Sequence, residues 1–167
     1  MVITRCQLVN PRVAALFVLV LVFVNACSKE TERMNQAKLT EFATSYAAAW
    51  SSQDPEQLAS HYADNGSLQV NDGETAVGRA AIATKARGFM SAFPDMVVRM
   101  DSVGLAEDGR AVFRWLWTGT NTGPGGTGNA VHLTGYEEWT LTDDGLILES
   151  KGHYDQAEYE RQVNDDG

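Results

Sequence analysis

Residues 123–128 read GPGGTG, a letter-for-letter match to the G-x-G-x-x-G fingerprint of dinucleotide binding. How these six residues are read decides the fold. As a fingerprint they must close a strand and open a helix whose N-terminal amides meet a pyrophosphate, inside a chain that alternates strand and helix. The flanks do not allow it. The stretch RAVFRWLWTGT (110–120) precedes them, AVHLTGYEEWTL (130–141) follows, and both alternate with the period of two that marks a strand. The glycines, with Pro124 among them, are therefore a hairpin loop, and no nucleotide cofactor is expected.

Working outward, the C-terminal half continues in the same style. MVVRMDSVGL (96–105) and LILESKGHY (146–154) are strand-like, and EDGR (107–110) and TDDG (142–145) carry turn chemistry. The N-terminal half is different. Leu39, Phe42, Ala43, Tyr46 and Trp50 recur at three- and four-residue steps, as on one buried face of a helix. DPEQ (54–57) opens a second helix with a capping Asp54 and Pro55 at its first position; this helix is expected to carry Leu58, His61 and Tyr62 and to stop at DNG (64–66). SLQV (67–70) is a short strand, and Ile82, Ala86, Phe89, Met90 and Phe93 line a third helix that Pro94 ends. A tail, DQAEYERQ (155–162), has room for one or two helical turns. Helices first and an antiparallel meander after define an α+β fold.

The first 26 residues stand apart from that fold. Arg5 and Arg12 precede an unbroken apolar run, Val13 to Val24, and small Ala26 sits before Cys27, the pattern of a secretory signal and its cleavage site. The run is shorter than the roughly 20 residues needed to span a bilayer. The quartet VNAC (24–27) resembles the lipobox of bacterial lipoproteins, which implies a lipid on Cys27, anchorage in the cell envelope, and, with Ser28 after the Cys, an outer-membrane destination facing the periplasm. Plain secretion with Cys27 as a free thiol is the alternative. The expected organisation is a signal peptide at 1–26, a lipidated Cys and tether at 27–36, one domain at 37–163, and an acidic tail at 164–167.

The chain carries 22 acidic and 13 basic residues, a net charge of −9, and loses two arginines with the leader. No Lys/Arg stripe exists to displace counterions from a phosphate backbone, so nucleic acid is excluded as a partner. Cys6 leaves with the leader, and Cys27 alone makes no intrachain disulfide. His61, His132 and His153 lack any metal-ligand spacing, and no metal is expected.

Several motifs together resemble the SnoaL-like, polyketide cyclase-like group of the nuclear transport factor 2-like superfamily. They are FATSYAAAWSSQDPEQLASHYAD (42–64), FPD (93–95), GTNTGPGGTG (119–128), and DGLILES (144–150) followed by Asp155. The resemblance implies a cone in which three N-terminal helices pack on a strongly curved antiparallel sheet around a pocket, with the outer side of the sheet available for a homodimer. The His and Asp that serve the cyclases as acid and base fall on Ser150 and Gly152 here, which cannot exchange protons in that way. His153 and Asp155 keep the spelling three residues later with opposite strand parity, and Asp155 is expected to cap the tail helix. Ketosteroid isomerase, a relative of the same fold, places its oxyanion-hole Tyr at Tyr46 and its protonated carboxyl donor at Glu137, while its general base falls on Val70.

By alternation, Val131, Leu133, Glu137, Trp139 and Leu141 share one face of their strand and His132, Thr134, Tyr136, Glu138 and Thr140 the other. The first set is more apolar and is taken as the inner wall. Glu137 is then a desolvated carboxyl fit to give or take a proton, unless Arg114 pairs with it. Trp50, Leu133, Trp139, Ser150 and Tyr154 are expected around the ligand. Phe113, Trp115 and Trp117 make an aromatic stripe that can wall the pocket, pack on helices or face a partner copy. Two functions stay open: an accessory module binding a small, mostly apolar molecule, and a cofactor-free cyclase or isomerase with Glu137 as acid/base and Tyr46 as hydrogen-bond donor.

Overall fold

The computed structural model describes residues 36–164; the expected leader, lipidation site and most of the tether, and the last three residues, lie outside them. A first helix, α1, runs over residues 36–51. Then come α2 (Pro55–Ala59), β1 (Tyr62–Val70), β2 (Ala76–Val77), α3 (Arg79–Ala92), β3 (Val97–Leu105), β4 (Ala111–Thr120), β5 (Ala130–Leu141), β6 (Ile147–Tyr154) and α4 (Gln156–Val163). The described residues hold four helices, and the tail, which has room for one or two turns by its sequence, forms two turns behind the last strand. Asp155 starts them by accepting the Glu158 amide at 3.0 Å, the expected cap.

The strands form one curved, unclosed sheet in the order β2-β1-β6-β5-β4-β3. The expectation of a purely antiparallel sheet is corrected at one place. β1 lies parallel to β6, with Leu68 opposite Ser150 and Val70 opposite Gly152, so the sheet is mixed. A parallel neighbour joins chain segments far apart in sequence, and no local turn signal announces it. The second helix is also shorter and the first strand longer than the sequence pattern predicts. DNG (64–66) does not end a helix but sits in an irregular stretch of β1, where the register against β6 shifts between Tyr62 and Ser67. Gly66 permits this: a Cβ there would stand 2.7 Å from the Ile147 carbonyl oxygen.

The GPGGTG loop joins β4 to β5 and ties the sheet to two helix ends. Gly123 donates its amide to the Ala92 carbonyl at the end of α3 (3.1 Å), and a Cβ on it would lie 1.9 Å from the Ser91 oxygen. Asn129 and Thr127 reach the Val163 carbonyl at the end of α4. Asp95 of the FPD motif secures the same corner by accepting the Thr120 amide and hydroxyl, both at 2.7 Å.

One core fills the concave side. α1 contributes Leu39, Ala43, Tyr46, Ala47 and Trp50, α3 contributes Ile82, Ala86 and Met90, and the sheet presents Phe113, Trp115, Trp117, Leu133 and Trp139. Trp139 is fully buried, stacks on Phe113 (4.8 Å between centroids) and meets the edge of Tyr46 (5.0 Å). Each such aromatic pair contributes about 0.5–1.5 kcal/mol beyond area burial. The inner-face assignment of β5 holds, with Val131, Leu133, Glu137 and Trp139 all buried.

Candidate functional site

Glu137 stands in the middle of β5, on the concave side, 6 % exposed. Three donors converge on its Oε2: the Ser150 hydroxyl from β6 at 2.6 Å, the Tyr46 hydroxyl from α1 at 2.9 Å, and the Trp139 indole at 2.9 Å. The strand periodicity explains two of them. Trp139 is two residues along the same face, and Ser150 lies opposite Trp139 on the next strand, diagonal to Glu137. Tyr46 is committed as a donor to Glu137, so the contact with Tyr62 (2.8 Å) is made by the Tyr62 hydroxyl donating to Tyr46. Burial, and then the charge of Glu137, pushes both phenols well above their ordinary value, and they stay protonated.

Oε1 of Glu137 accepts no hydrogen bond from the described residues, and the side chain lines a cavity of about 60 Å³. Trp50, Val70, Phe89, Met96, Val98, Trp115, Trp117, Gly152 and Tyr154 form the rest of its wall, so among the described residues Glu137 is its only carboxyl and no Lys or Arg lines it. Burial raises the Glu137 pKa above the ordinary carboxylate value, against the three donors and a weaker attraction from His153. With Oε2 held by donors, Oε1 is the oxygen left to exchange a proton.

The structure brings together some of the expected site residues and not others. Glu137, Trp50 and Tyr154 line the cavity. Leu133, Trp139 and Ser150 do not, which corrects their expected place: Trp139 and Ser150 sit beneath Glu137 as its donors, and Leu133 is core. Tyr46 is likewise buried behind the carboxylate, so its hydroxyl serves Glu137 rather than a ligand. Arg114 does not pair with Glu137; it lies over the Tyr136 ring on the outer face. His153 also faces outward, stacked on Tyr136, as its parity requires. Val70 and Gly152 do line the cavity, and neither carries a proton. Phe89, Met96, Val98, Trp115 and Trp117 complete the wall. The aromatic stripe of β4 was visible in the sequence, but its joining to Phe89 of α3 depends on how that helix lies across the sheet. Among the described residues, no group of three His, Cys, Asp or Glu side chains comes together to hold a metal.

The helix-backed, curved mixed sheet is the ketosteroid isomerase-like, nuclear transport factor 2-like fold. The chain belongs to the SnoaL-like domain family, whose model matches residues 43–150. Solved structures agree on the fold. A protein named as a SnoaL-like polyketide cyclase from Jannaschia sp. CCS1 superposes with a TM-score of 0.68 at 15 % identity, covering 79 % of this chain and 95 % of that one. A hypothetical protein of ketosteroid isomerase-like fold from Catenulispora acidiphila, in complex with trimethylamine, gives 0.65 at 18 % identity, over 74 % and 92 %. The epoxide hydrolase/cyclase-like enzyme SalBIII, which acts in pyran ring formation in the polyether salinomycin, gives 0.62 at 17 % identity, over 73 % and 94 %. No curated protein matches the chain by sequence.

Proposed function

We propose that this chain is an exported, lipid-anchored SnoaL-like protein that binds a small, mostly apolar molecule in the cavity above Glu137, as an accessory module. One observation carries the binding reading: Glu137 lines an aromatic cavity with its Oε2 occupied by three donors and its Oε1 accepting no hydrogen bond from the described residues. The cavity has space on the order of four water-sized sites, at about 10–15 Å³ each. The trimethylamine held by the Catenulispora neighbour is a guest of that size. Against catalysis of the cyclase kind stand Ser150 and Gly152 at the acid/base positions, and Val70 where the isomerases have their base. Native mass spectrometry of the full chain as purified tests the reading: a bound small molecule that is lost in Glu137→Gln is expected, and an empty cavity under all conditions overturns it.

The second reading is a cofactor-free cyclase or isomerase in which Glu137 alone is the acid/base, with Tyr46 positioning it. Its support is the upward shift of the Glu137 carboxyl together with donors on Oε2, which steady the charge that proton abstraction at Oε1 would leave. If the ligand recovered above is converted on standing by the wild-type chain and not by Glu137→Gln, this reading replaces the first. Export rests on the leader and VNAC (24–27) alone. Cys27→Ala is expected to release the chain from membranes, and unchanged membrane association overturns the anchor.

A further inference from the structure

The cavity wall has a sign. Its one ionisable acceptor is Glu137, no Lys or Arg stands in it, and none of the ion pairs among the described residues includes Glu137. The carboxylate is thus a desolvated charge without a counter-charge, answered only by neutral donors on one oxygen. The remaining wall is built mainly of rings set at right angles. Trp50 and Phe89 lie 6.0 Å apart at 84°, and Phe89 and Trp117 6.2 Å apart at 88°. The face of an aromatic ring carries the negative part of its quadrupole, so a ring that turns its face to the cavity attracts a cation. The Glu137 carboxylate repels an anion. A neutral apolar guest uses the rings and leaves the carboxylate uncompensated.

We infer that the guest is a small alkylammonium ion, seated between the rings of Trp50, Phe89 and Trp117 with the Glu137 carboxylate as its counter-charge. The inference rests on the binding reading above and gives it a chemical class. Alkyl groups on nitrogen fill the apolar wall and spread the positive charge over the ring faces, while Oε1 supplies the fixed negative charge. The donors Tyr46, Trp139 and Ser150 on Oε2 favour the ionised form that a cation needs. The acidic chain, at −9, draws cations toward itself before they reach the mouth.

Titration of the full chain with tetramethylammonium chloride, beside sodium chloride at equal ionic strength and beside tert-butanol as a neutral guest of similar shape, tests this. All four tryptophans of the chain wall the cavity or touch Glu137, so intrinsic fluorescence reports occupancy. Tetramethylammonium is expected to bind at least tenfold more tightly than tert-butanol. Glu137→Gln is expected to weaken it at least tenfold and to leave tert-butanol within about twofold. Trp117→Leu, which keeps an apolar wall without the ring face, is expected to weaken the cation at least threefold, and it decides the matter if Glu137→Gln fails to fold. If tert-butanol binds as well as the cation, the charge inference falls while the small apolar guest stands. If neither binds, both fall. If the cation binds equally to wild type and both variants, it sits on the acidic surface and the inference is overturned.

Discussion

Glu137 and Glu138 are neighbours in sequence and opposites in circumstance. Glu137 points to the concave side, is almost wholly buried, and meets three neutral donors and no Lys or Arg. Glu138 points to the outer face, keeps 26 % of its side chain exposed, and pairs with Arg110 at 3.1 Å and with His153 at 3.6 Å. One step along a strand reverses the face, and with it everything that acts on a charge. The partially solvated glutamate gets counter-ions, as surface carboxylates do. The buried one does not, although burial makes its need greater, which marks Glu137 as a group kept for something other than stability.

Truncating each glutamate gives the largest contrast. Glu137→Ala removes the acceptor that three buried donors use, and a stability loss on the order of 3 kcal/mol is expected, since each unsatisfied buried donor costs about 1–3 kcal/mol and water entering from the cavity relieves part of the sum. Glu138→Ala is expected to stay within about 1 kcal/mol, the range of partly exposed ion pairs. Urea unfolding of the two variants measures both. Equal losses would mean that the two faces of β5 are not as unlike as their surroundings indicate.

Tyr46→Phe comes next. It deletes one donor to Oε2 and leaves the Tyr62 hydroxyl without the acceptor it uses now, so a loss of about 1.5–3 kcal/mol is expected, typical of hydrogen bonds to charged groups. It also raises the Glu137 pKa further, because a donor that favours the charged form is gone. A Tyr46→Phe chain whose stability and Glu137 titration match wild type would remove the phenol from the site.

The pH dependence tests Glu137 in another way. The Glu137 pKa is raised on folding, chiefly by burial, so folding favours its protonated form more than the unfolded chain does. The stability it contributes is full below the ordinary carboxylate pKa and is lost as pH rises through the raised value. Glu137→Gln, which never ionises, is expected to melt higher relative to wild type at neutral pH than at pH 4, with Tyr46 and Tyr62 as the titratable groups facing the carboxyl and His153 acting on it from the outer face. Melting curves at the two pH values decide it, and a gap that closes toward neutral pH would contradict the upward shift.

The opposed faces of β5 were legible because alternation is a local property of the strand, and so were the hairpin at residues 123–128, the periodic face of α1 and the cap at Asp155. What escaped the sequence is what distant segments do to one another. The parallel pairing of β1 with β6 joins residues some 80 positions apart, and nothing near Tyr62 or Gly152 announces it. The same limit hid the depth of the site. Inner-face parity placed Trp139 and Ser150 in the right hemisphere, but only their packing beneath Glu137 separates a donor to the carboxylate from a wall of the cavity. Phe89 carried the helical period of a core residue, and its second use as a wall depends on where α3 crosses β4.

Gly152 offers the gentlest probe of the two faces. It lies opposite Glu137 on β6 and lines the cavity, and a Cβ there would stand 3.5 Å from the Glu137 Cγ and 3.7 Å from the Gln69 carbonyl oxygen, ordinary contact distances. Gly152→Ala is therefore expected to fold with a stability change within about 1 kcal/mol, the cost of an unstrained surface-like change, while a methyl group enters a cavity of about 60 Å³. Lys151→Ala, one step along and facing outward, is expected to leave any guest untouched. A guest that binds as tightly to Gly152→Ala as to the wild-type chain does not reach the floor of the cavity, and Oε1 of Glu137 is then not what holds it.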